Sequence, residues 1–298
     1  MSSEIDVVVQ LLKASQEAAN PDPTIEEQRA GMEAMSENMP TAEGVTISET
    51  ELDGVAGLKL TPADAKPGRA LLYFHGGGYV LGSPATHRGL VSQVAAAMQA
   101  EAWSMDYRLA PEAPFPAAIE DGVAAYRGLL DSGIAPESII ISGDSAGGGT
   151  TVATALKARD DGLPMPAGLI PLSPWVNLEN TGWSYGEKAE LDPMITKQSI
   201  DKMAETYLNG GDAKQPYASP VHADLAGLPP MLIQVGPNEV LLSDSITLAE
   251  RAGAAHVPVT LEIWPRMIHV FQAFYPFLSD ARAAIARMGA WAETRWGG

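Results

Sequence analysis

Residues 141 to 150 read ISGDSAGGGT, and inside them Gly143-Asp144-Ser145-Ala146-Gly147 sets a serine between two glycines. A serine in G-x-S-x-G can attack an ester or amide carbonyl when a sharp turn lifts its hydroxyl clear of the backbone and a histidine takes its proton. The pentapeptide alone is equally a small-residue turn. Nucleophilic chemistry asks for a strand before the serine and a helix after it. It also asks for main-chain donors to an oxyanion, an imidazole and a carboxylate.

The local context meets the first two demands. SIIIS (138–142) is a short apolar β-branched run, and AGGGTTVATALKAR is helical in pattern from Ala146 onward. Ser145 therefore falls at a strand-to-helix turn, where small residues two positions either side avoid clashes. The helix N-terminus aims N–H groups at developing negative charge. A second motif, His75-Gly76-Gly77-Gly78, ends another apolar run. Unhindered glycine N–H groups can approach a tetrahedral oxyanion, and losing one such donor costs about 3 to 4 kcal/mol of transition-state stabilisation.

The elements that must position these motifs alternate along the chain. Residues 70–75, 101–107, 138–142, 168–172, 231–235 and 257–264 read as strands, with helical stretches near 86–100, 117–131, 146–160, 243–255 and 279–296. Short apolar strands separated by helices predict an α/β protein with a mostly parallel central sheet flanked by helices. Two amphipathic helices precede it, the second opening at Thr24 with Glu27 completing a capping box after the Pro21-Asp22-Pro23 break. VTISETEL and VAGLKLTP, separated by Asp53-Gly54, predict a hairpin. Residues 176–220 carry no clear strand and are expected to form a helical cap insertion. With 1–44 as N-terminal cap helices, this leaves 45–175 and 221–298 as the catalytic domain.

Composition narrows the partners. There are 37 acidic side chains against 19 Lys and Arg, a formal net charge of −18; such a surface repels nucleic acid and anionic lipid. With no cysteine, disulfides, thiolate catalysis and cysteine metal sites are excluded. The N-terminus lacks a basic region followed by an apolar one, and no apolar run has membrane length, so a cytoplasmic location is expected. No ligand-spaced cluster calls for a metal, and no cofactor is expected.

HGGGYV, DYRLAPEAPFPAA and GDSAGG, together with the later ASPVHADLAGLPPMLIQVG and WPRMIHVFQAF, resemble the bacterial hormone-sensitive-lipase-like carboxylesterases of the α/β-hydrolase fold. The resemblance runs from about residue 45 to the end. It implies oxyanion donors at the backbone N–H groups of Gly77, Gly78 and Ala146, with His75 holding the loop through hydrogen bonds. Chain order in this fold is serine, acid, histidine. His75 and His87 precede the serine, while His222 and His256 read as local packing and surface. His269, in a loop after the last strand, is the expected base.

The acid should leave the loop beyond MLIQV, where Glu239 and Asp244 are candidates. Glu239 matches the family position better, although many relatives carry aspartate there. Asp244 suits a helix cap. The Asp106–Glu112 stretch reads as an ion-paired structural loop, and Asp192-Pro193 as the opening of a helix.

The function expected is hydrolysis of small-molecule carboxylic esters through an acyl-enzyme, with short to medium acyl chains implied by the resemblance. Trp183, Tyr185 and Met203 are candidates for an acyl pocket, each equally suited to ordinary core. The apolar last strand, exposed at a sheet edge, predicts a homodimer. Alternatives are an amidase on the same triad, or a non-catalytic ligand-binding member of the fold.

Overall fold

The apolar β-branched runs pair into one sheet in the order β1-β2-β4-β3-β5-β6-β7-β8 in the computed structural model, which describes residues 3–18, 20 and 23–297. Met1 and Ser2, and Pro21 and Asp22 of the expected break, lie outside the described residues. In chain order the elements are α1 (Glu4–Ala18), α2 (Ile25–Ser36), β1 (Val45–Leu52), β2 (Val55–Pro62), β3 (Ala70–Phe74), α3 (Pro84–Met98), β4 (Glu101–Met105) and α4 (Ala117–Asp131). Then come β5 (Ile139–Asp144), α5 (Ala146–Asp160), β6 (Gly168–Leu172), α6 (Ser184–Glu187), α7 (Lys197–Leu208), β7 (Met231–Val235), α8 (Leu242–Ala254), β8 (Val259–Ile263) and α9 (Ser279–Arg295). β1 and β2 form the expected hairpin, antiparallel from Val45↔Pro62 to Leu52↔Val55, with Asp53 and Gly54 both at positive φ in its turn. From β4 to β8 the strands are parallel.

The central strands β3, β5, β6 and β7 are buried on both faces, and their side chains alternate between two cores. In β3, Leu71 and Tyr73 join the core that includes Val91 and Val94 of α3 and Met288 of α9. Leu72 and Phe74 join the opposite core with Tyr126 of α4 and Leu156 of α5. Each fully buried aliphatic or aromatic side chain contributes about 1.5 to 3 kcal/mol by leaving water. The two cores therefore hold the C-terminal ends of β3 and β5, where the two glycine motifs begin, in a fixed relation.

Helix α5 shows packing overriding propensity. Gly147, Gly148 and Gly149 weaken a helix by about 1 kcal/mol each relative to alanine. A Cβ at Gly147 would strike the main chain of Phe74 and His75, and one at Gly148 or Gly149 would strike Pro174 or the carbonyl of Trp175. The glycines let α5 start directly beneath neighbouring backbone.

The N-terminal helices lie against this body. Thr24 caps α2 and forms the reciprocal box with Glu27. Arg29 of α2 donates through Nε to the carbonyl of Val80 at 2.9 Å and pairs with Glu112 at 2.7 Å. The insertion between β6 and β7 contains α6 and α7. Tyr207 of α7 stacks on Tyr79 with centroids 3.9 Å apart, and its carbonyl accepts from the N–H of Phe115 at 2.8 Å. No helix among the described residues is long and apolar enough to cross a membrane.

Candidate active site

Ser145 stands between β5 and α5 with φ 55° and ψ −120°, a conformation L-residues rarely adopt. Its neighbours hold it there. The N–H of Ser145 donates to the carbonyl of Leu172 at 2.8 Å, and its own carbonyl accepts from Trp175 at 2.9 Å. Glycine is required two positions away on both sides. A Cβ at Gly143 would overlap the carbonyls of Gly147 and Phe74, and one at Gly147 would overlap that of Phe74. Ser145 is partly exposed between neighbours that are buried.

Three main-chain donors belong to the same region. Among the described residues no hydrogen bond engages the N–H of Gly77, Gly78 or Ala146. Gly77 and Gly78 have φ of 120° and 65°, and Met203 of α7 lies against Gly78. His75 braces the loop as the resemblance implied: its Nδ1 donates to the carbonyl of Gly76 at 2.8 Å and its ring stacks on Tyr107 at 4.3 Å. Burial pushes its imidazole down to about 3, so it stays neutral.

His269 and Glu239 meet. The Nδ1 of His269 lies 3.0 Å from Oε1 of Glu239, whose Oε2 accepts from the hydroxyl of Ser173 at 2.8 Å and the N–H of Gly236 at 2.9 Å. Ser173 in turn accepts from the N–H of Val270 at 3.1 Å. The segment 172–175 thus grips Ser145 by its backbone at both ends and the Glu239–His269 pair through Ser173. Burial opposes a charge on the imidazole, but the hydrogen bond and charge of Glu239, helped by Asp192 and Asp144, outweigh it and raise His269 above its ordinary value.

Asp244 is elsewhere. It sits in the first turn of α8 rather than at its cap, which is Leu241, and its Oδ2 accepts from the N–H groups of Val176 and Asn177 at 3.1 and 3.0 Å. Asp192 does not open a helix either; α7 begins at Lys197 behind a Thr196 cap. Its buried carboxylate instead accepts from Met194, Ile195 and Val240. Arg108 pairs with Asp121 at 2.7 Å, so the loop after β4 is ion-paired as its sequence suggested. Of the three aromatic or thioether candidates, Tyr185 is core, Trp183 is 48% exposed, and Met203 alone adjoins the glycine loop.

Sequence reasoning passed over a second buried pair. The Nε2 of His87 lies 3.3 Å from both Oδ2 of Asp144 and the N–H of Gly76, its Nδ1 contacts the Thr86 hydroxyl at 2.8 Å, and Tyr73 donates to Asp144 at 2.8 Å. These partners are 57 and 71 positions from Asp144, and no spacing rule signals them. Among the described residues no three His, Asp or Glu converge as a metal site.

Comparison with known proteins fixes the family of the chain. A family model described as the alpha/beta hydrolase fold matches residues 71–273. A crystal structure of an esterase from the bacterial hormone-sensitive lipase family superposes with a TM-score of 0.96 at 42% identity, covering 100% of this chain and 99% of that one. The chain belongs to that family of α/β hydrolases. The acetyl-hydrolase of Streptomyces hygroscopicus is 40% identical over 301 residues, 99% of this chain and 98% of that protein. A crystal structure of the esterase EstE5 soaked with p-nitrophenyl butyrate gives a TM-score of 0.95 at 48% identity, with each chain covered in full.

Proposed function

We propose that this carboxylic ester hydrolase works through an acyl-enzyme on Ser145, with His269 as general base and Glu239 as the acid that orients it. The observation that carries the assignment of the acid is the 3.0 Å contact of His269 Nδ1 with Glu239, which leaves Nε2 as the ring nitrogen for the nucleophile. Nε2 takes the proton of Ser145 as Oγ bonds to the ester carbon. The electron pair displaced onto the carbonyl oxygen is held by the N–H groups of Gly77, Gly78 and Ala146. The imidazolium protonates the leaving alkoxide as the C–O bond breaks. Water, deprotonated by His269, then releases the acid and restores Ser145.

The substrates fit small esters of short to medium acyl chain, with Met203 of the insertion beside the oxyanion loop. Residues 176–220, with the stretch up to residue 44, form the cap over a catalytic body of 45–175 and 221–298. The stacking of Tyr207 on Tyr79 and the anchoring of Arg29 on Val80 support that division. Its charge of −18 supports a protein that binds neither nucleic acid nor anionic membrane, and the location that goes with this reading is cytoplasmic. A homodimer through β8 is supported by its place at the sheet edge and by Ile263, 43% exposed on it; light scattering showing only monomer at micromolar concentration would remove it.

The central test is hydrolysis of p-nitrophenyl butyrate by the wild type and Ser145→Ala. The wild type should turn over and the variant should fall to background; a variant that retains wild-type rate ends the proposal. A matched panel of esters and amides separates the esterase from an amidase.

A further inference from the structure

Asp192 is a buried carboxylate in the insertion between β6 and β7 that the reaction as written does not use. Its Oδ1 accepts from the N–H groups of Met194 at 2.8 Å and Ile195 at 2.9 Å, which fixes it on its own turn. Its Oδ2 reaches across to the N–H of Val240 at 2.9 Å. The carbonyl of Val240 accepts from the hydroxyl of Ser184 in α6, and Ser184 also accepts from the N–H of Ser243 at 2.9 Å. Both polar backbone groups of the residue beside Glu239 are therefore held by side chains of the insertion.

A tether does not by itself need a charge. A serine or asparagine oxygen could accept from Val240, and burying a carboxylate costs several kcal/mol unless its charge is used. The charged groups that act on the His269 imidazole are Glu239 from the loop after β7, Asp192 from the insertion and Asp144 from the end of β5. All three carry the sign that favours an imidazolium.

We infer that Asp192 is a positioning residue of the hydrolytic reaction: it fixes the backbone beside Glu239 and lends its charge to the imidazolium that His269 forms. This rests on the reading of His269 as the base. The insertion then completes the electrostatics of the catalytic histidine as well as covering the substrate.

Asp192→Asn removes the charge with little change of size, and Ser184→Ala removes the other tether on Val240 without altering charge. The experiment follows kcat and KM for p-nitrophenyl butyrate between about pH 5 and 9. Thermal melting and stoichiometric inactivation by an organophosphate confirm folded, competent sites. In Asp192→Asn the acid limb of the kcat/KM profile should lie about half a pH unit lower, because the imidazolium loses a stabilising charge. Its plateau kcat should fall about tenfold with KM little changed. In Ser184→Ala the limb should stay where the wild type has it. An unmoved limb in folded Asp192→Asn, or an equal movement in both variants, overturns the inference. Should Asp192→Asn not fold, Asp192→Ser, which keeps an acceptor and loses the charge, carries the same expectation. Failure of the underlying reading is distinct, since His269→Gln would then hydrolyse the ester at the wild-type rate.

Discussion

Two histidine–carboxylate pairs lie buried near Ser145, and in the proposed reaction they serve opposite ends. In His269–Glu239 the carboxylate takes Nδ1 and is itself braced by Ser173 and Gly236, which leaves Nε2 for the part the proposed reaction gives it. In His87–Asp144 the carboxylate lies against Nε2, where the N–H of Gly76 also points, and Thr86 occupies Nδ1. Neither ring nitrogen of His87 is left for a substrate. Asp144 precedes Ser145 and Gly76 precedes the two glycine donors, so His87 joins the two backbone segments that would share an oxyanion. Which nitrogen a carboxylate occupies decides whether a buried pair does proton transfer or holds a frame.

The sharpest way to break this contrast is to exchange the fates of the two rings. His269→Gln should lower kcat/KM on p-nitrophenyl butyrate by about 10⁵, because the base and the leaving-group acid disappear together. His87→Gln keeps an N–H for Asp144 and should cost about tenfold or less, nearly all in kcat, since oxyanion contacts strengthen only in the transition state. Equal losses would mean that both histidines move protons, and the division of labour would be wrong.

The acids extend the comparison one shell outward. Glu239→Gln should reduce kcat about a thousandfold or more, since a glutamine cannot stabilise the imidazolium. Asp244→Asn should stay within a few-fold, as its Oδ2 accepts from the N–H groups of Val176 and Asn177. Steady-state rates on one ester suffice, and a collapse at Asp244 with survival at Glu239 would reverse the assignment.

How far these roles could be read without coordinates depended on how local their causes are. The strands were legible because runs such as SIIIS and MLIQV bury both faces, and the α2 cap because Thr24 and Glu27 meet three residues apart. The turn at Ser145 was legible because its glycines answer to backbone crowding within the motif and the adjoining strand. Glu239 could be narrowed only to a pair, since choosing between two carboxylates in one loop needs the position of His269. Asp192 and Asp244 were misread as helix-opening residues. Local rules favour aspartate there, but their partners at Val240 and Val176 lie 48 and 68 positions away. Long-range main-chain donors leave no periodic trace in a sequence.

The smallest expected effect belongs to Asp244 and is read through stability. Burial pushes the Asp244 carboxyl up to about 7 against the help of the Val176 and Asn177 N–H groups, and no hydrogen bond engages its Oδ1. A carboxyl whose folded value is raised keeps its proton where the unfolded chain has released it. Its stabilising contribution is therefore full below the unfolded value near 3.8 and is lost as pH rises through about 7. Asparagine at 244 has no such proton to lose. The melting temperature of Asp244→Asn relative to wild type should then climb by about 2 to 4 °C between pH 5 and pH 8. A flat difference for Asp244→Asn would mean that this carboxylate is ionised throughout in spite of its burial, and the stability argument would fail.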